Sequence, residues 1–334
     1  MTHSRRDLLR LTVGALPAAH LLTRPRSLLA ASKPDSRIEG VQIGLIAPYA
    51  FRGTARSAEE ILESLVALGL SGVEMQNTPV EEFAGAPEGG WRGPRRPRSA
   101  GMPPGWPRRP GPPELTPERQ AARQAWEEKM RAWRLNAPME RIAELGRMYA
   151  DAGVRIYAFK LALTESMPDE EYDYCFNVAK TLGATEVTME LNENTERIGR
   201  FAEKHRIHVG YHNHTQVNEE SWDAALDQSP FNGINLDVGH FTAAIGKSPI
   251  PFIEKHHDRI TSMHLKDRRY GKDGDNLPWG QGDTPLREVL QLMKKEGYAF
   301  PATIELEYPV PEDSTVMAEL QRCRRFCEDA LSGA

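Results

Sequence analysis

Residue types that bind divalent cations recur where short β-type runs end. Val187-Thr188-Met189-Glu190, Asn235-Leu236-Asp237, Ser262-Met263-His264 and Thr303-Ile304-Glu305 each close on a carboxylate or an imidazole. A lone Asp or Glu at such a point more often caps the following helix or pairs with a lysine, and a lone His is often a satisfied core residue. Recurrence at the same end of four runs favours one shared site, because buried carboxylates without a cation are costly. Three carboxylates and one imidazole suit Mn2+, Mg2+, Co2+ or Zn2+. Side chains alternate along a strand, so His264 shares a face with Lys266 and Glu305 with Glu307, and parity alone does not choose between the two glutamates.

A second cluster, Gly210-Tyr211-His212-Asn213-His214, places two imidazoles on one side of a strand. His212 is the preferred proton-transfer group, since imidazole titrates near neutrality. His214 is expected to bind substrate or to brace a metal ligand, and His240 to hydrogen-bond a substrate hydroxyl. Lys160 ends the run Ala158-Phe159-Lys160, where an ammonium could stabilise an enolate oxygen; a lysine snorkelling at the rim fits equally well. Lys266 is a further substrate-binding candidate. The loop Asn276–Asp283 offers Trp279 as a flat apolar face for a sugar ring. His256 and His257 receive no role.

These residues need a scaffold that brings strand ends together. Eight β-type runs, Val41–Ala47, Gly72–Gln76, Arg155–Lys160, Glu186–Leu191, Arg206–His214, Gly233–Gly239, Ile260–Lys266 and Ala302–Tyr308, alternate with amphipathic helical stretches such as Ser57–Leu68, Met139–Ala152, Asp169–Leu182 and Thr315–Leu331. That alternation predicts an α/β fold, a single-domain (β/α)8 TIM barrel over residues 38–334, with the strand ends meeting at one mouth. A doubly wound open sheet would show a Gly-rich phosphate loop after its first strand, and Pro48–Gly53 is not one. Residues 84–136 form an insertion after strand 2: a Pro-, Gly- and Arg-rich loop, then a charged helix over Thr116–Trp133. Lying on the strand-to-helix side, the loop is expected to act as a lid or a surface contact.

The chain has 334 residues, enough to bury a full core, and its three cysteines, Cys175, Cys323 and Cys327, do not form a disulfide framework. Ser4-Arg5-Arg6-Asp7-Leu8-Leu9, the apolar stretch Leu11–Leu22 and the small residues around Ala30 read as a twin-arginine export signal over residues 1–32. The apolar part is too short for a stable membrane span, and the expected location is periplasmic or secreted. Removing that segment, which holds five Arg and one Asp, lowers the formal charge from −5 to −9. This disfavours nucleic acid as a partner. A homo-oligomer is left open.

Gly210-Tyr211-His212-Asn213-His214, Leu236-Asp237-Val238-Gly239-His240, His264-Leu265-Lys266-Asp267, Gly280-Gln281-Gly282-Asp283 and Ile304-Glu305-Leu306-Glu307 together resemble the xylose isomerase-like barrel superfamily. Sugar isomerases and epimerases, inosose dehydratases and apurinic endonucleases belong to it. The resemblance implies one metal ion held by Glu190, Asp237, His264 and Glu305, the last ahead of Glu307. It also implies a small-molecule carbohydrate substrate and an isomerase or epimerase that removes a proton next to a carbonyl. In the ketose 3-epimerases the first glutamate lies on strand five. Here strand five carries His212 and Glu190 lies on strand four, as in inosose dehydratase-like members, which makes a metal-dependent dehydratase or β-eliminating lyase the alternative. The endonucleases carry a His-richer three-metal cluster. A metal-dependent hydrolase and a non-catalytic periplasmic sugar-binding barrel are further alternatives.

Overall fold

The computed structural model describes residues 33–88, 116–192 and 194–333. The export-signal reading over residues 1–32 and the loop residues 89–115 of the insertion lie outside them. Eight strands form the barrel: β1 Val41–Ala47, β2 Gly72–Gln76, β3 Arg155–Lys160, β4 Glu186–Glu190, β5 His208–His212, β6 Asn232–Asp237, β7 Ile260–Leu265 and β8 Ala302–Ile304. Each is parallel to its neighbours, and β8 pairs with both β7 and β1, which closes the sheet. Two short pieces lie outside this ring. Arg37–Ile38 pairs antiparallel with β1, and Asp267–Arg268 pairs with Asn276–Leu277.

The helices are α1 Ala58–Leu68, α2 Asn77–Phe83, α3 Pro117–Arg134, α4 Met139–Asp151, α5 Asp169–Leu182, α6 Thr195–His205, α7 Asp223–Gln228, α8 Val238–Ile245, α9 Ile250–His256, α10 Leu286–Glu296 and α11 Val316–Ser332. Local chemistry sets their ends. Ser57 and Glu60 cap α1 reciprocally, and Gly69 (φ 69°) ends it in the left-handed region. Thr116 caps α3 with Pro117 in its first turn. None of the described helices is long and apolar enough to cross a membrane.

The strands alternate in an unusual sense. Outward residues, including Val73, Val187, Met189, Val209, Tyr211, Ile234, Leu236, Met263, Leu265 and Ile304, are buried against the helices. Several residues inside the barrel are polar and equally buried: Glu74, Thr188, His212, Asn235, Asp237, Ser262, His264 and Thr303. Such an interior is tolerable only when its groups bond one another. They do, with Thr188 donating to Glu74 at 2.6 Å, Tyr157 bonded to Thr303 at 2.6 Å and Asn235 donating to Ser262 at 2.6 Å.

Two runs are much shorter than the sequence pattern suggests, by four residues each. Arg206 adopts φ 56° to end α6, so β5 starts at His208. The ladder of β8 stops at Ile304, and Glu305 and Glu307 continue beyond it at the mouth. The short helices α2, α7 and α8 were not marked by the helical patterns. They fill βα connections too brief for a clear 3.6-residue repeat.

Candidate active site

β6 and β7 place Asp237 beside His264 in register, and Thr303 of β8 pairs with His264 on its other side. Glu305 therefore follows directly at the same mouth. Ligand-type atoms of His212, Asp237, His264 and Glu305 all lie within 4.8 Å of one another. The four are almost fully buried. Asp237 serves two purposes: its Oδ1 accepts the His240 N–H at 2.7 Å and caps α8, while Oδ2 faces the Lys266 ammonium at 2.9 Å. The Cβ of any other residue at Gly239 would come within 2.3 Å of the Lys266 side chain, so glycine is what lets α8 start this close to β7.

His264 is gripped at both nitrogens. Nδ1 lies 2.8 Å from Glu305 Oε2 and Nε2 lies 2.7 Å from Glu74 Oε2. Burial opposes charge on the ring, but the two carboxylates outweigh it and raise its pKa to about 10. Burial also opposes charge on Glu74 and Glu305, yet His264 holds both carboxyls below their ordinary range, with Lys266 the stronger influence on Glu305. Burial, then the positive charges of His264 and Lys160, push His212 well below its usual value, so it is a neutral imidazole.

Lys266, itself buried, reaches across the same group. Its Nζ is 2.9 Å from Asp237 Oδ2, 2.9 Å from Glu305 Oε2 and 2.8 Å from Glu307 Oε2. Glu307 is separated from the four-residue group and is held instead by Lys266 and the Tyr49 hydroxyl.

Glu190 lies apart, its side chain 44 % exposed, with Oε1 3.1 Å from Lys160 Nζ and Oε2 2.9 Å from His214 Nε2. Burial opposes its ionisation, but the His214 hydrogen bond and the Lys160 charge hold its carboxyl far below the usual range. His214 Nδ1 is 3.2 Å from His240 Nε2, and His240 Nδ1 is 2.6 Å from Arg268 Nη1. The structure thus brings His212 together with Asp237, His264 and Glu305 on one side and with His214 and His240 on the other, and holds Glu190 against Lys160 and His214. Trp279 packs its ring edge-on against Phe326 of α11, with centroids 5.7 Å apart.

The donor set fits a divalent ion. Two carboxylates and two imidazoles converge, a divalent ion would take up charge that the Lys266 ammonium now balances at Asp237 and Glu305, and Glu74 braces the far nitrogen of His264 as outer carboxylates brace ligating histidines. Glu74, Asn235, Ser262, Tyr49 and Arg268 were given no role by the sequence. Glu74 alone left a trace, as a charged residue inside the apolar run Gly72-Val73-Glu74-Met75.

Three solved structures illustrate the fold. The probable 3-DHS dehydratase AsbF of Bacillus anthracis is 14% identical, covering 85% of this chain and 98% of its own, with a TM-score of 0.56. A sugar phosphate isomerase/epimerase of Parabacteroides distasonis is 15% identical, covering 90% and 96%, with a TM-score of 0.52. The IOLI protein with a bound zinc atom is 15% identical, covering 88% and 99%, with a TM-score of 0.56. At these identities the likeness is one of fold. No curated protein matches the chain. The model of the xylose isomerase-like TIM barrel family matches residues 124–326, more than half of the sequence, and the chain belongs to that family.

Proposed function

We propose that the protein is a divalent-metal-dependent enzyme that removes a proton next to the carbonyl of a sugar or keto-sugar and returns it as an isomerase or epimerase. The observation that carries this reading is the group His212, Asp237, His264 and Glu305, four ligand-type residues within 4.8 Å at the C-terminal mouth of the barrel. These four would hold the ion. Once bound, it would supply Lewis-acid stabilisation of negative charge on a substrate oxygen.

The chain's own groups do the rest. Glu190 is a half-exposed carboxylate outside the ligand group and is assigned as the acceptor of the substrate proton. Lys160 and His214 orient it, and the Lys160 ammonium also faces charge that develops on a substrate oxygen. His212 moves from proton transfer to metal binding in this reading, because it is buried in the group. His240 and Lys266 close the floor of the site, and Lys266 balances the excess carboxylates. Loss of a β-leaving group would start with the same proton removal, and the Tyr49 hydroxyl on Glu307 is a donor suited to that outcome. Residues 1–32 are assigned to twin-arginine export, which the mature N-terminus of protein recovered from the periplasm would test.

The test of function is metal content and solvent deuterium exchange. Wild type should carry about one divalent ion per chain and wash deuterium into a keto-sugar. Asp237→Ala and His264→Ala should lose both, and Glu190→Gln should lose exchange while retaining metal. A wild type that stays metal-free after supplementation would overturn the reading. A dehydrated product would shift it to the lyase.

A further inference from the structure

His212 is the ligand whose state is least self-evident, because a neutral imidazole offers a lone pair on only one nitrogen. Its Nδ1 lies 2.6 Å from Asn235 Oδ1. Asn235 Nδ2 donates to Ser262 Oγ at 2.6 Å. The hydroxyls of Ser262 and its neighbour Thr261 favour the ionised form of the nearby Glu186 carboxyl against burial. His212, Asn235, Ser262 and Glu186 are all buried and descend from the mouth toward the opposite end of the barrel. There Glu186 lines a cavity of about 620 Å³ with Arg155, His208 and Arg259. The room for this chain is made at Gly210, where an added Cβ would come within 2.5 Å of Thr261 Oγ1 and 3.0 Å of both Asn235 and Glu186.

The chain has a direction. Asn235 Nδ2 donates to a Ser262 Oγ lone pair, which leaves Asn235 Oδ1 facing His212. An acceptor there requires a proton on Nδ1, and the lone pair falls on Nε2. The reversed amide would force the opposite tautomer and silence Nε2.

We infer that Asn235, fixed by Ser262, is a positioning residue that locks His212 as the Nδ1–H tautomer and so presents Nε2 to the metal group. This inference rests on the proposed reading of His212 as a ligand. The tautomer can be read in metal-free protein, independently of that reading.

The experiment is 15N NMR of histidine-labelled, metal-free protein, with the His212 resonances identified by their loss in His212→Gln, paired with Mn2+ titration of each variant. Wild type should show a protonated Nδ1 and a lone-pair Nε2. Asn235→Asp, which keeps the acceptor, should preserve both the tautomer and the metal affinity. Asn235→Leu and Ser262→Ala, the second a single-atom deletion that spares the fold, should mix the tautomers and weaken Mn2+ binding by roughly 10- to 100-fold. A wild-type His212 protonated on Nε2, or a tautomer unchanged in both Asn235→Leu and Ser262→Ala, would overturn the inference. The expected tautomers in a protein that binds no Mn2+ would instead uphold the lock and remove the metal reading.

Discussion

Glu74 Oε2 lies 2.7 Å from His264 Nε2, a contact between β2 and β7 across the interior of the barrel. Neither residue is exposed, and the other Glu74 oxygen accepts from Thr188 at 2.6 Å. The carboxylate therefore fixes both the orientation of the ring and which nitrogen faces Glu305. Glu74→Gln retains the shape and loses the charge. It is expected to lower divalent-metal affinity by roughly 10- to 100-fold while the protein stays folded, as calorimetric titration beside circular dichroism would measure. Unchanged affinity would show that the pair only fills space.

Lys266 places one ammonium among Asp237, Glu305 and Glu307. A divalent ion in the group would share two of those carboxylates with it. Lys266→Met should leave the metal-free protein with uncompensated buried charge, costing about 3–5 kcal/mol. Added Mn2+ should then raise the melting temperature of the variant by more than that of wild type, since the ion replaces the missing charge. Equal thermal shifts in the two proteins would contradict a shared role.

The barrel was legible in the sequence because its outward faces are apolar and its eight runs recur with helices between them. The mouth was legible because Asp237, His264 and Glu305 are chemically conspicuous at strand ends. Which strand-end residues meet was less so. Glu190 and His212 are paired in register on β4 and β5, yet only His212 joins the group with Asp237, His264 and Glu305. Strand parity puts both inside the barrel and cannot say how deep each side chain sits or which partner claims it. Lys160 and His214 draw Glu190 outward, and Asn235 draws His212 inward. Those contacts join residues distant in sequence. Trp279 shows the same limit, since only the fold brings Phe326 against it.

Asp267 organises the loop that follows β7. One of its oxygens accepts from the backbone N–H of Gly280, Gln281 and Gly282 at 2.8, 3.1 and 2.9 Å, and the other from Thr284 at 3.2 Å. A Cβ at Gly282 would come within 2.2 Å of Asp267 Oδ1, so the glycine permits the wrap. Asp267→Ala removes the acceptor from four N–H groups and should destabilise the loop by roughly 2–4 kcal/mol. The check is hydrogen exchange, which should accelerate at residues 280–284 and remain slow in β5 and β6. Unaltered exchange at the loop would mean that its own turns suffice.

Glu186 is expected to make stability fall as pH rises. Burial first, and then the charge of Glu74, push its carboxyl up to about 8, against the hydroxyls of Thr261 and Ser262 and the His264 charge. Unfolded, it titrates near ~4.3. Between those values the folded protein holds a proton that the unfolded chain has released, so folding loses stability through that window and no further above it. The full effect is at most about 5 kcal/mol. Glu186→Gln keeps an acceptor for Ser262 and cannot ionise. Urea midpoints of the two proteins should agree near pH ~4 and separate as pH rises, with the variant the more stable at about pH 9. His264 and the other titrating groups are present in both and cancel in the difference. Coincident midpoints at the alkaline end would show that the buried carboxyl is ionised at no cost.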